Sequence, residues 1–171
     1  MQLGLGYPAW RSGLAVLPFA IGSALIASVG SRQALRRGPK LVAFVLAMVL
    51  VGLAGVWLAV RAHPGYDVGL WMALPLLIAG MGSGLVISPN LTLTLSRVPV
   101  QRAGSAGGVL QTGQRIGSAA GIAITGMVFY DQLASSHGDF ALAFRVGLIS
   151  IAAFVAAALA LVLADALTRE P

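Results

Sequence analysis

Leu41 to Val60 reads LVAFVLAMVLVGLAGVWLAV, a run without a charge and with almost no side chain able to hydrogen-bond. A helix needs about 20 apolar residues, each advancing it about 1.5 Å, to cross the hydrocarbon core of a bilayer. This run has that length, and it has nothing to offer water. It predicts an all-α integral membrane protein. Working outward, Ser12 to Ser31 and Val68 to Ser96 are also free of charge, and Ala103 to Tyr130 is interrupted only by Arg115. The last apolar segment ends at Ala164, with its uninterrupted part beginning at Val146. The expectation is one transmembrane domain over residues 1–171, with five transmembrane helices at approximately 12–31, 41–60, 68–96, 103–130 and 140–164.

Composition agrees. Of the 171 residues, 58% are hydrophobic and 9% charged, against about 25% charged in a soluble domain. The 22 glycines lie inside apolar runs, where they serve helix packing rather than linkers. The net charge is +6, but the basic residues sit at the ends of apolar segments and form no face with interleaved aromatics. Nucleic acid is therefore not an expected partner. Without cysteine, the chain has no disulfide, thiol chemistry or Cys-based metal site.

The connections are short, at Arg32–Lys40, Arg61–Asp67, Arg97–Arg102 and Asp131–Asp139, which favours antiparallel neighbours. Arg32, Arg36, Arg37, Lys40, Arg97, Arg102 and Arg169 fall on one side, and Arg11, Arg61 and Arg145 on the other. The bias places the first side and the C-terminus in the cytoplasm, for a multi-pass protein of the plasma (inner) membrane. Met1 to Tyr7 then lies outside with no helix before it to carry it across, which suggests a missing upstream span. Reading Leu14 to Gly30 as a signal-peptide core puts the Arg32–Lys40 cluster outside, against the charge bias.

Polarity divides the five spans. The second and fifth contain almost no polar side chains and read as scaffold. The first carries Pro18, Ser23 and Ser28; the third Ser83, Ser88, Pro89, Asn90, Thr92 and Thr94; the fourth Gln111, Thr112, Gln114, Arg115, Ser118 and Thr125. In lipid such groups need partners or water, as interhelical contacts or as the lining of an aqueous path. Arg115 is the sharpest signal, because an arginine near mid-membrane costs about 2.5–3.5 kcal/mol on insertion scales. Gln111, Arg115 and Ser118 share a helical face, and with Gln114 and Asn90 they are the candidate cavity-lining or substrate-binding residues.

Other features read as structural. Gly113, Gly117 and Gly121 form a small-residue ladder offset from the Arg115 row. Pro89 lacks an N–H and should kink the third span. The GMGSG stretch, Gly80 to Gly84, has no preceding strand and no P-loop lysine, so it is not a nucleotide site. Asn90-Leu91-Thr92 matches a glycosylation sequon but is placed within the membrane. Asp67, Asp131, Asp139, Asp165 and Glu170 all lie in loops or at helix ends, so the spans hold no carboxylate to relay a proton. His63 and His137 lack metal-site spacing, and no nucleophile–base pair is visible. Neither cofactor, metal nor enzymatic activity is expected.

Three segments carry a resemblance: QLGLGYPAWRSGLAVLPFAIG (Gln2 to Gly22), GMGSGLVISPNLTLTLSRVPVQRAGSAGGVLQTGQRIGSAAGIA (Gly80 to Ala123), and Phe140 to Ala164. Together they are similar to the last five helices of a major facilitator superfamily transporter of the fourteen-helix drug/proton antiporter type, EmrB/QacA-like. The loop SRQALRRGPK, Ser31 to Lys40, resembles that family's motif GRLADRFGPR at Arg36, Gly38, Pro39 and Lys40. It departs from the motif at Ser31, in place of the first glycine, and at Leu35, in place of the aspartate.

The resemblance implies part of a C-terminal major facilitator bundle and proton-driven export of small, often amphiphilic or cationic compounds. It also implies a cavity completed by the missing N-terminal half or by another copy. Implied partners are the lipid bilayer and a small-molecule substrate. The alternative is a small membrane protein that transports nothing and acts as an assembly or regulatory partner.

Overall fold

A computed structural model describes residues 2–168 except 64, 96 and 97, and omits the side chains of residues 3, 28–40, 85–95, 100 and 166–168. Among the described residues the fold is all-α. A single turn, α1 (Gln2–Leu5), precedes α2 (Ala9–Ala62), α3 (Val68–Leu95), a 3-10 turn at Val100–Arg102, α4 (Ala103–Ser135) and α5 (Phe140–Thr168).

The helical backbone of α2 runs for 54 residues, through the connection expected at Arg32–Lys40. Ser31 to Arg37 is rich in good helix formers, and Gly38-Pro39 is the one breaker pair there, so local propensity favours helix across most of the connection. A straight helix of that length would hold Gly22 and Gly52 about 45 Å apart. Yet both pack on the same part of α3: Gly22 against Leu77 and Met81, and Gly52 against Ala79. The chain therefore reverses between the two apolar arms, Ala9–Ala27 and Leu41–Ala62. Helical conformation replaces the expected loop, but the reversal that the loop was to supply is present.

Contact register gives the directions. Along the first arm, Ala15 meets Gly69, Phe19 meets Gly80 and Ser23 meets Gly84, so this arm is parallel to α3. Along the second, Val45 and Val49 meet Gly82, Gly52 meets Ala79 and Gly55 meets Pro75, so that arm is antiparallel. The buried face of the second arm, Leu41, Val45, Val56 and Val60, is spaced by whole helical turns. Val56 and Val60 join Val68 and Met72 of α3 and Leu148 of α5 in one cluster. Thr125 and Phe129 of α4 lie near Gly147 of α5, and the Ser150 hydroxyl donates to Thr125 Oγ1 at 3.4 Å, making α4 and α5 antiparallel.

Large exposed side chains such as Leu70, Val109, Ile122 and Leu161 face outward. In lipid such faces carry no penalty, and helix association rests on close packing. Among the described residues, Ala9–Ala27, Leu41–Ala62 and Phe140–Asp165 are long and apolar enough to cross a membrane. Val68–Gly84 is an apolar stretch below that length, and the polar side chains of α4 keep it out of the set despite its 33 residues.

All the tryptophans and tyrosines gather at one end of the bundle. The Tyr7 hydroxyl donates to the Tyr66 carbonyl, and the two rings meet edge to face at 4.9 Å. The Arg11 guanidinium lies 3.9 Å from the Tyr66 ring centre and 5.0 Å from that of Tyr7. His63 stacks on Trp71 at 4.2 Å, and Arg61 lies 5.3 Å from the Trp57 ring. Trp10 adjoins Arg11 in sequence, and Tyr130 packs on Phe129 near the C-terminal end of α4. This is the end opposite the Arg32–Lys40 turn.

Candidate functional site

Helix α4 presents the polar candidates. It has no buried residue, and every residue from 111 to 120 is exposed, so Gln111, Gln114, Arg115 and Ser118 stand clear of the other helices. The cause lies in the packing: α4 holds to α5 through its C-terminal half, at Thr125 and Phe129, and diverges toward its N-terminus. None of the four polar side chains has a hydrogen-bond or ion-pair partner among the described residues. Arg115 lies about 18 Å along α4 from Ala103, well inside the helix. Thr112, by contrast, turns its hydroxyl back to the Gly108 carbonyl at 2.9 Å.

A Cβ added at Gly113, Gly117 or Gly121 would meet nothing within 4 Å, so among the described residues the ladder seats no neighbouring helix. Gly117 and Gly121 instead border an open groove of about 690 Å³ between α4 and α5, with Ser118 and Thr125 on one wall and Ile151 and Phe154 on the other. The groove brings Ser118 together with the glycine row and leaves Gln111, Gln114 and Arg115 outside it. Asn90 and Pro89 lie in α3, whose helical assignment continues through both, and Arg36, Gly38, Pro39 and Lys40 in the turn of α2; the side chains of all six fall outside the description.

Close packing is found where the sequence reading discounted GMGSG. Gly80 and Gly84, one helical turn apart, abut the carbonyls of Phe19 and Ser23 on the first arm, while Gly82 faces Val45 and Val49 on the second. Residues two apart on a helix point to nearly opposite sides, so the alternating glycines thin α3 on both faces. That alternation was the available signal.

A second feature had no signal in the sequence. A half-enclosed cavity of about 280 Å³ lies at the aromatic end, where α1, α2, α3, α4 and α5 converge. Phe129, Phe140 and Phe144 line it with Met72, and Asp139 stands on its wall. The α4–α5 turn builds the wall: His137 and Gly138 adopt left-handed φ of 56° and 93°, and the Gly138 N–H donates to the Leu133 carbonyl at 3.0 Å. The chain then enters α5 with Asp139 as its cap, Oδ1 accepting the Leu142 N–H at 2.8 Å. Arg145, six residues beyond Asp139, has its Nε buried without a hydrogen-bond partner among the described residues.

Long apolar helices, glycine-thinned packing and one uncovered polar helix are features of a bundle of membrane helices. A family model described as Major Facilitator Superfamily matches residues 1–122. The chain belongs to the major facilitator superfamily.

Similar superfamily members include the "Probable actinorhodin transporter" of Streptomyces coelicolor, 28% identical over 144 residues that cover 79% of this chain and 24% of the relative. The "Drug efflux pump JefA" of Mycobacterium tuberculosis is 32% identical over 120 residues, covering 69% of this chain and 22% of the relative. The "Multidrug resistance protein Stp" of the same organism is 29% identical over 132 residues, covering 77% and 24%. The chain thus spans about a quarter of the length of these relatives. No solved structure matches it significantly. The fold class read from the sequence, a partial all-α major facilitator bundle, is the one observed.

Proposed function

We propose that this chain supplies one wall of an efflux transporter that exports small, amphiphilic or drug-like compounds, with proton coupling provided by the intact transporter. The relatives' names support the substrate class. In this reading the protein lies in the plasma membrane with the Arg32–Lys40 turn and the C-terminus in the cytoplasm. The drug/proton antiporter type is the resemblance that the loop motif Arg36, Gly38, Pro39 and Lys40 carries.

The observation that bears most on mechanism is Arg115, exposed within α4 and without a partner among the described residues. A mid-membrane guanidinium is costly and is retained where it faces water, substrate or an opposing polar wall. Arg115, with Gln111 and Ser118 on its face and Gln114 and Asn90 beside it, would contact the substrate or couple its movement to the opposite half. In the intact transporter, Arg115→Ala should leave the amount of folded protein near wild type and reduce efflux per molecule by at least about tenfold, the loss of one charge-assisted contact. Expression and efflux are measured side by side. Normal efflux per folded molecule removes Arg115 from the pathway; loss of folded protein in proportion to efflux makes it structural.

A further inference from the structure

Two arginines at the aromatic end have no carboxylate partner among the described residues: Arg61, near the end of α2, and Arg145, near the start of α5. Arg145 is half-buried, with its Nε enclosed and unbonded and its terminal amino groups accessible. Trp57 Nε1 is a second enclosed N–H without an acceptor, and the Arg61 guanidinium lies 5.3 Å from the centre of its ring. Donors and charge are in surplus here.

The contacts of neighbouring residues place these groups together. Residues two apart on a helix point to nearly opposite sides. Gly55 abuts Pro75 of α3, so Trp57 turns away from α3; Gly147 lies against Phe129 and Thr125 of α4, so Arg145 turns away from α4. Val56 and Val60 share a cluster with Leu148, which makes the second arm of α2 and α5 neighbours. Both α3 and α4 line the cavity on one side of that seam, so Trp57 and Arg145 stand on the other. They also match in depth. Trp57 is five residues before the end of α2 and Arg145 five after the start of α5, about 7.5 Å inside either end, with Arg61 one turn nearer the surface.

That depth is where hydrocarbon gives way to headgroups, and arginine stems reach from it to the phosphate layer. A guanidinium offers paired N–H groups that match two oxygens of a phosphate. The ammonium of a zwitterionic headgroup would be repelled by two arginines with no acid between them, whereas a headgroup bearing only the phosphate charge would not.

We propose that Arg61 and Arg145, on the flank of the seam between α2 and α5, bind the phosphate of an anionic phospholipid, with the Trp57 ring holding Arg61 in place. The site requires only that the chain lie in a membrane and is independent of the proposed pathway along α4.

The test uses the 171-residue chain in maltoside micelles, titrated with dioleoylphosphatidylglycerol or dioleoylphosphatidylcholine, with bound lipid counted by native mass spectrometry. The first phosphatidylglycerol should bind at least about tenfold more tightly than phosphatidylcholine, the difference made by one charge-assisted contact. Arg145→Gln and Arg61→Gln should each remove most of that preference. Arg61 is exposed, so its variant should keep its helicity by circular dichroism even if the half-buried Arg145 proves necessary for folding. Arg102→Gln removes the same charge at the opposite end of the bundle and should bind as wild type. Glycerol 3-phosphate in excess should leave the lipid bound, and its displacement of the lipid would assign the site to a soluble phosphate instead. Equal retention of the two lipids, an undiminished preference in folded Arg61→Gln, or an equal loss in Arg102→Gln would each overturn the proposal.

Discussion

At Gly80 and Gly84 an added methyl group would run into main-chain carbonyls of the first arm of α2, and backbone cannot rotate away as a side-chain end can. Gly80→Val therefore has to push α3 from its neighbour, and overpacking of this kind costs about 1–3 kcal/mol. The expected result is a lower thermal unfolding midpoint in micelles and a loss of monodisperse protein. The same change at Gly113, where nothing lies within 4 Å, should leave the midpoint of the isolated chain unchanged. A ladder of small residues can be read from sequence, but the neighbour it meets cannot, since spacing gives the face of one helix and says nothing of what stands opposite. This is why Gly113, Gly117 and Gly121 could be read as a ladder without a named neighbour, while Gly80, Gly82 and Gly84 are the glycines that abut neighbours among the described residues.

The reversal within α2 sets the hand of everything that follows. With the first arm parallel to α3 and the second antiparallel, the two arms and α3 run up, down and up; α4 and α5 add a further antiparallel pair. Cysteines introduced singly at Gly38 and at His137 should then label from opposite faces of the membrane. Position 137 should react with an impermeant thiol reagent in intact cells, and position 38 only after permeabilisation. Labelling of both from one face would contradict the topology. The long apolar helices at Ala9–Ala27, Leu41–Ala62 and Phe140–Asp165 were legible because charge-free length is a one-dimensional property, and lipid imposes it directly. The form of the connection at Arg32–Lys40 was less so, since charges and Gly38-Pro39 mark a turn while Gln33, Ala34 and Leu35 favour helix. The polarity of α4 was also legible, and its exposure in the structure gives that polarity a place. The cavity at the far end was not, because Phe129, Met72 and Phe140 come from three helices and share no motif.

For the molecule as a whole, charge is distributed by position along the membrane normal. Asp67, Asp131 and Asp139 stand at or near helix ends on the aromatic side and Asp165 closes the apolar stretch of α5, so among the described residues no carboxylate lies in the interior of a span to carry a proton. Reconstituted alone in liposomes, the 171-residue chain should show no uptake or release driven by a pH gradient above that of empty vesicles. Robust gradient-driven transport by the purified chain would require a proton path that these residues do not provide. The aromatic clustering adds a spectroscopic asymmetry. Because Trp10, Trp57 and Trp71 lie at one end, the intrinsic fluorescence of the protein observes a single leaflet. Iodide added outside correctly oriented proteoliposomes should quench it, iodide trapped inside should not, and insertion direction becomes a quantity measurable without any label.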